Sequence, residues 1–469
     1  MIAHDLIDGL FAAAYGAIVL VAGYAAVSAA VRPGRRHWAE LAGLSVAAGA
    51  GLTAFGLFAA SLLGFPPARG LLAGWGIVAG AGAAAVLWWR GQLLTPSVPT
   101  PRRRLEPAGV VGLLGAAVVV AAVLNVLATT TAPGLGDMDE YATWMFKAKV
   151  LADVPLRPVP GPLTDPGLSY SHQDYPLLLP LLVDGVYAAV GRVDDAAGKW
   201  VLPPMYLALI GIVYAAVRRH HRRAIAVAVA AVSVAGPTVA QKAGLAVAEL
   251  PLTLFLAAAV SMLARWADDG GEPGDLLLCG GFAAAAAFSK NEGLAMLPVL
   301  AVASLVVAAR RRWLRDWWPA ALLAALLVGP WLAYRRLLPK THEDYGGKFT
   351  TGAAIAHGLA RLPAVLGGLA GWMFDPATSG GLWIVLVVSA VVGWRAWRSG
   401  VARLVWVVLA AQLGLYVAAF AVTPWKLDVL MPMVAAKLLA QAAPAAGILI
   451  GLHLREAGLG PAFPTKARK

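Results

Sequence analysis

Residues 107–151 read PAGVVGLLGAAVVVAAVLNVLATTTAPGLGDMDEYATWMFKAKVL. The first half is an apolar run of the length a helix needs to cross a bilayer, about 20 residues, and it ends on the helix-breaking APGLG. Asp137, Asp139 and Glu140 follow at once. Charge beside hydrocarbon is costly, so acids in that place either reach water or serve a purpose. Asp137 suits the N-cap of a helix with Glu140 at its third position, a capping box that stabilises a helix start by about 1 kcal/mol. Asp139 has no capping work, and it sits beside the interfacial aromatics Tyr141 and Trp144. A carboxylate held in a half-dry cleft is suited to general-base chemistry, while the plain alternative is a solvated helix start.

Apolar runs like this one recur along all 469 residues. The chain is 60% hydrophobic and 13% charged, with a mean hydropathy of +0.72, whereas a soluble domain is about one quarter charged. The expected fold is all-α: a polytopic transmembrane helical bundle of about 13 spans, near residues 7–31, 38–63, 68–89, 107–128, 199–217, 223–241, 247–265, 275–289, 292–309, 317–337, 380–397, 402–422 and 428–452. The first run lacks the basic flank and cleavage site of a signal peptide, so the N-terminus is expected to be retained. Cys279, the one cysteine, lies inside an apolar run and offers neither a disulfide framework nor a cysteine metal site.

The connections alternate in charge. RPGRRHW, TPSVPTPRRRLEP, RRHHRR, ARRRWLRD, GWRAWRSGVAR and the terminal PTKARK fall on one side, and the acidic loop falls on the other. Basic loops stay cytoplasmic, which places the N-terminus outside, the C-terminal tail 453–469 inside, and GDMDEY outside. The formal charge of +13 then needs no nucleic acid to explain it. Two outer connections are long, 129–198 and 338–379, and long ordered loops tend to carry function. Each holds an apolar segment, YPLLLPLLVDGVYAAVG and TTGAAIAHGLARLPAVLGGLAGWMF, expected to lie at the interface or dip into the outer leaflet. His342, Glu343, Asp344 and Lys348 in the second loop are expected to be solvated.

Other charges gather on the outer side. Lys147 and Lys149 either snorkel toward headgroups or hold a substrate phosphate. In SHQDYPLLLP, His172 and Asp174 either line a cleft or belong to the turn that Tyr175 and Pro176 make on returning to the membrane. Glu249 stands at the end of a span without a basic neighbour, and Lys290 and Glu292 flank the turn SKNEG; ionisable groups at such depth are functional candidates. Lys437 lies about 14 Å below Asp428 along its helix, at 1.5 Å per residue, and needs an anionic partner or a route to water. No P-loop, paired-glycine fingerprint, HExxH or GxSxG stands in a fitting context, which argues against ATP-driven and Rossmann-type chemistry.

The order DEYATWMFKAKVL, SHQDYPLLLPLL, RRHHRR after a span, AELPLTLFL, FSKNEGL and VTPWKLDVLM resembles bacterial membrane glycosyltransferases of the GT-C class, relatives of protein O-mannosyltransferases and of aminoarabinose transferases acting on lipid A. The resemblance covers residues 107–452 and leaves 1–106 as an added three-span block. It implies a bacterial cytoplasmic (inner) membrane protein, and a polyprenyl-phosphate-linked sugar donor entering from the bilayer. It further implies inverting transfer to a hydroxyl of a lipid, glycan or protein acceptor at the extracytoplasmic face. The catalytic base it implies is Asp139, organised by Asp137 and Glu140. Lys290 and Lys437, with Lys147 and Lys149 behind them, would hold the phosphate, and Glu249 would orient substrate. His172, Asp174, Tyr175 and Glu292 complete the expected substrate-binding set.

After TP this chain reads Trp425 and Lys426 where relatives often carry His or Asp, and its deeper basic residue is Lys437 rather than the more usual Arg, without the bidentate fork. Asp137 and Asp139 form a DxD, which leaves a divalent cation open, although two carboxylates without a third ligand make no metal site; metal-independent chemistry without a cofactor is expected. Two rival readings are a transporter or flippase of lipid-linked sugar and a non-catalytic GT-C relative. Transporters often show two related halves, and this sequence shows none.

Overall fold

The structure, a computed structural model, describes residues 2–32, 35–91, 95–97, 109–132, 134–157, 161–268, 271–340 and 352–458. Each expected apolar run is helical, in whole or in part. In chain order the helices are α1 (Ile2–Ala30), α2 (Trp38–Leu62), α3 (Arg69–Arg90), α4 (Val110–Thr131), α5 (Met145–Asp153), α6 (Leu178–Val190), α7 (Asp195–Gly198), α8 (Leu202–Arg218), α9 (Arg223–Val234), α10 (Pro237–Ala243), α11 (Glu249–Ala267), α12 (Pro273–Ser289), α13 (Asn291–Arg311), α14 (Leu314–Arg335), α15 (Gly352–Phe374), α16 (Pro376–Ser379), α17 (Leu382–Val392), α18 (Gly400–Val422) and α19 (Leu427–Glu456). One short parallel ladder pairs Arg35–His37 with Thr95–Ser97. His342, Glu343, Asp344, Lys348, most of TPSVPTPRRRLEP and the terminal PTKARK lie outside the described residues.

Among the described residues, ten helices have the length and apolarity to cross a membrane, and an eleventh span arises if α9 and α10 count together. Two expected spans, now α12 and α17, have 17 and 11 helical residues, short for a hydrocarbon core about 30 Å thick. The run 223–241 is not one rod. Its helix breaks at Gly236–Pro237, where the missing amide and the fixed φ of proline end one helix and start the next, and the two pieces meet at 70°.

Packing follows from small residues and apolar faces. A Cβ on Gly23 would lie 1.8 Å from the carbonyl oxygen of Ser45, and one on Gly49 would lie 1.9 Å from that of Val19, so glycine is what allows α1 and α2 to touch backbone to backbone. α2 packs along α8, α11 along α12 and α8, and α19 along α17, α18, α11 and α9. α11 is the centre of the bundle, with almost every residue from Glu249 to Ala267 buried. By contrast α3 and α4 show most of their surface, as expected of helices facing lipid.

One end of the bundle is tied by buried charge. Arg36, just before α2, meets Asp275 of α12 at 2.6 Å, and Arg265 of α11 reaches Glu40 at 3.2 Å and Asp275 at 3.5 Å. The basic run around Arg36 therefore does more than mark a membrane side: it fastens the first helices to the centre. Such pairs add little net stability but become costly to break singly, because the remaining charge is left buried.

The expectation for α6 needs correction. It lies neither against lipid nor at an open interface, for twelve of its thirteen residues are buried in protein, and α1, α2, α3 and α5 surround it. Arg69 at the start of α3 closes the far end, donating to the carbonyls of Ala189 and Val190 at 2.9 and 2.7 Å. Within α6 the Asp184 carboxyl is buried with neither oxygen hydrogen-bonded, and burial pushes its pKa from the ordinary 3.8 up to about 8. Across that window the folded chain keeps a proton that the unfolded chain releases, so stability falls as pH rises toward about 8 and levels off above it. Asp184→Asn removes the buried acid at nearly the same volume and should raise the melting temperature more at pH 8.5 than at pH 5, by a free energy of about 2 kcal/mol. Equal melting temperatures at pH 8.5, read by differential scanning fluorimetry in detergent, would contradict this.

Candidate active site at the acidic-loop end

At the end of the bundle opposite the Arg36 network, the chain leaves α4, and Lys199 fixes the exit. Its buried ammonium lies 2.9 Å from the carbonyl of Ala132, 3.1 Å from that of Gly134 and 3.3 Å from that of Thr129, supplying donors to the unpaired carbonyls that every helix end leaves. The acidic loop then enters a wide π-turn, Glu140–Trp144, before α5. Such turns widen the backbone and recur at functional sites.

The three loop carboxylates have different surroundings. Asp137 accepts the backbone N–H of Asp139 at 2.9 Å and the ammonium of Lys242 at 2.8 Å. Burial works against its charged form, but Lys242 outweighs it and holds the carboxyl below its usual range. Glu140 is fully buried and accepts two backbone amides, Gly136 and Ala246, each at 2.8 Å. The capping box is thus redrawn: Glu140 reaches back to Gly136 rather than to Asp137, and its other oxygen pins the corner between α10 and α11. Asp139 points elsewhere, with 46% of its side chain exposed and one oxygen 2.8 Å from the ammonium of Lys437.

Lys437 thereby gains the anion its depth required. The acidic loop meets it through Asp139, a contact that the sequence spacing alone did not reveal. Close by, Glu249 at the first turn of α11 binds Lys290 at 3.0 Å, and Lys290 also holds Glu292 at 3.0 Å. Lys290 stands between α12 and α13, as their shared terminal residue, so three helix ends meet on one ammonium. The second carboxylate oxygen of Glu249 is buried without a hydrogen bond.

A second group lies behind the first. Asp174 is buried and bonds Arg335 of α14 at 3.0 Å. Lys147 is fully buried and donates to the carbonyls of His172 at 2.6 Å and Tyr175 at 3.4 Å, while its ammonium faces the rings of Trp144 and Tyr175 at 5.4 and 5.5 Å. Burial lowers its pKa to about 7 against the opposing charge of Asp174. Lys147 therefore neither snorkels nor faces solvent; it staples α5 to the SHQDY segment. His172 stacks on Tyr175 with ring centroids 4.7 Å apart and adopts a left-handed backbone, φ +50°. Lys149 is turned away from both groups, pairing with Asp195 at 2.7 Å on the surface.

The structure thus unites Asp137, Asp139, Glu140, Glu249, Lys290, Glu292 and Lys437 at one end of the bundle, sets Lys147, His172, Asp174 and Tyr175 beside them, and leaves Lys149 outside. Sequence reasoning missed Lys242, Arg335 and Lys199. Lys242 had a signal, as a lone cation between the Gly236–Pro237 break and Gly244 with no acid nearby in sequence; Arg335, in a basic pair at a span end, had none. Among the described residues no group of three His, Cys, Asp or Glu side chains comes together for a metal ion. A cation on the DxD pair would have to displace both Lys242 and Lys437.

Glu140 anchors this arrangement, because its carboxylate is the partner of two amides from separate parts of the chain. Glu140→Ala should leave both unpaired at about 1–3 kcal/mol each and speed hydrogen exchange at Gly136 and Ala246 together, measured by mass spectrometry. Exchange changing at one amide alone would show that the loop and the corner are not coupled through this side chain.

Comparison with known proteins finds likenesses over part of the chain. The family model of dolichyl-phosphate-mannose-protein mannosyltransferases matches residues 174–334, a stretch that runs from Asp174 through Lys242, Glu249, Lys290 and Glu292. Two solved structures are similar: ArnT from Cupriavidus metallidurans bound to undecaprenyl phosphate, at 16% identity and a TM-score of 0.47 over 74% of this chain and 60% of that one, and the same protein in the apo state, at 17% identity and 0.45 over 73% and 59%. This chain spans about three fifths of the length of those structures. No curated protein matches it.

Proposed function

We propose that this integral membrane protein, whose central residues 174–334 share a family model with protein mannosyltransferases, is an inverting glycosyltransferase. It takes a sugar from a polyprenyl-phosphate donor and passes it to an acceptor hydroxyl at the extracytoplasmic face. The observation that carries the reading is the division of labour among the three loop carboxylates. Asp137 is committed to Lys242 and Glu140 to two amides, whereas Asp139 alone stays open to solvent while touching a lysine. A general base must be both reachable and ionised.

In the proposed reaction Asp139 takes the proton of the acceptor hydroxyl as its oxygen attacks the anomeric carbon. The bond from that carbon to the phosphate oxygen breaks, and its electron pair stays on the phosphate. In this reading Lys437 and Lys290 would supply the ammonium groups that neutralise the leaving phosphate, a stabilisation that grows as charge develops. Glu249, with an unpaired buried oxygen, would hold a donor hydroxyl, and the partly exposed Tyr175 would offer the sugar an aromatic edge. The orientation follows from the basic loops: RRHHRR faces the cytoplasm and the acidic loop the outside.

Asp139→Asn should lower turnover with a polyprenyl-phosphate sugar by about 10²-fold or more without loss of membrane insertion, whereas Lys149→Ala should change it less than about twofold because that lysine's pairing with Asp195 is a surface one. Undiminished turnover by Asp139→Asn would remove this residue from the mechanism. Sidedness has its own test. In intact cells an impermeant maleimide should label Met138→Cys, at a side chain 70% exposed, and should label Arg222→Cys only after permeabilisation. The opposite pattern would end the proposal.

A further inference from the structure

We propose that Lys437 masks one carboxylate oxygen of Asp139 in the resting protein, and that an incoming lipid phosphate unmasks it by taking the lysine for itself. This rests on the reading of Asp139 as base and Lys437 as phosphate ligand, and adds the order in which they act. The ammonium lies 2.8 Å from one carboxylate oxygen of Asp139. A carboxylate oxygen turned to an ammonium is not placed to accept a proton from a hydroxyl arriving on that side. The phosphodiester of the donor offers the ammonium two oxygens sharing one charge, as a carboxylate does, and gains further charge as the bond to the sugar breaks, so it competes for the same donor most strongly as the reaction proceeds.

Among the cations of the cluster, Lys437 changes partner at least cost. Lys290 is gripped by two carboxylates, Glu249 and Glu292, and Lys147 is buried and donates to backbone carbonyls. Lys242 has one carboxylate partner, but the Asp137 side chain is 20% exposed and would be left in a drier place. The Asp139 side chain, 46% exposed against 18% for Lys437, has water to turn to when the lysine leaves. The exchange couples the two halves of the chemistry: the base is freed when the phosphate is seated, and the same lysine then neutralises the charge that the breaking carbon–oxygen bond deposits on that phosphate. When the polyprenyl phosphate departs and Asp139 gives its proton to water, the pair re-forms.

Binding of a short-chain polyprenyl monophosphate, without sugar, to the full-length protein in nanodiscs tests this by native mass spectrometry. Asp139→Asn should tighten binding roughly fivefold, the worth of one partly exposed ion pair, and Lys437→Gln should weaken it roughly tenfold. In the Lys437→Gln background, adding Asp139→Asn should change affinity by less than about twofold, since no masked lysine remains to be freed. Unchanged or weaker binding by Asp139→Asn alone would overturn the proposal. So would the same gain with and without Lys437, which is what bulk charge removal produces, or no measurable binding by the unaltered protein. Turnover separates the two layers. Lost turnover with unchanged affinity keeps the base and removes the exchange; retained turnover removes the base and with it the unmasking. Asp139→Ser replaces Asp139→Asn should that variant fail to assemble.

Discussion

Ionised carboxylates are costly to leave unpaired beside a membrane, and the architecture at the acidic-loop end follows from that constraint. Each acid of the loop is met from a different helix: Asp137 by Lys242 at the end of α10, Asp139 by Lys437 within α19, and Glu140 by the amide of Ala246 in the corner before α11. Two stretches far apart in sequence, residues 242–246 and the helix bearing Lys437, are thus drawn to one loop a few residues long. Since a desolvated charge costs several kcal/mol, removing the partners of the fully buried Glu140 would leave a large penalty, whereas the half-exposed Asp139 has water to turn to.

The same logic operates at the other end, where Arg36, Glu40, Arg265 and Asp275 are bound together. Between these charged ends the bundle relies on close helix contact through glycine and on the nearly complete burial of α6 and α11. The enclosure of α6 has a functional side. It forms the rear support of the first long loop, so α1, α2 and α3 brace the segment that carries the candidate base, through α5 and the Lys147 staple.

The site combines rigid and labile parts. Glu140, Asp137 and Lys199 fix the path of the backbone with hydrogen bonds to amides, carbonyls and a lysine. Asp139 and Lys437 face each other across a part-buried contact, the one the proposed exchange would open. With Asp139 on a braced loop and Lys437 within α19, the proposed partner change would need no movement of the backbone that aims the carboxylate.

Much of this was legible in the sequence. The apolar runs set the helical membrane fold, because twenty apolar residues have few other uses, and the spacing after α4 singled out Asp139 as the acid without a capping role. The alternation of basic loops gathered Asp139, Glu249, Lys290 and Lys437 on one face before any coordinates. What the linear order did not contain was who pairs with whom. Lys437 and Asp139 stand 298 residues apart, and no local pattern encodes a contact over that distance. The roles of Lys242 and Arg335, the use of Lys147 as a staple rather than an exposed cation, the burial of α6 and the break at Gly236–Pro237 that aims Lys242 at Asp137 were decided by tertiary packing. Hydropathy reports how a residue meets solvent or lipid, whereas pairing depends on which helices cross, and that is settled by the shapes of whole faces together.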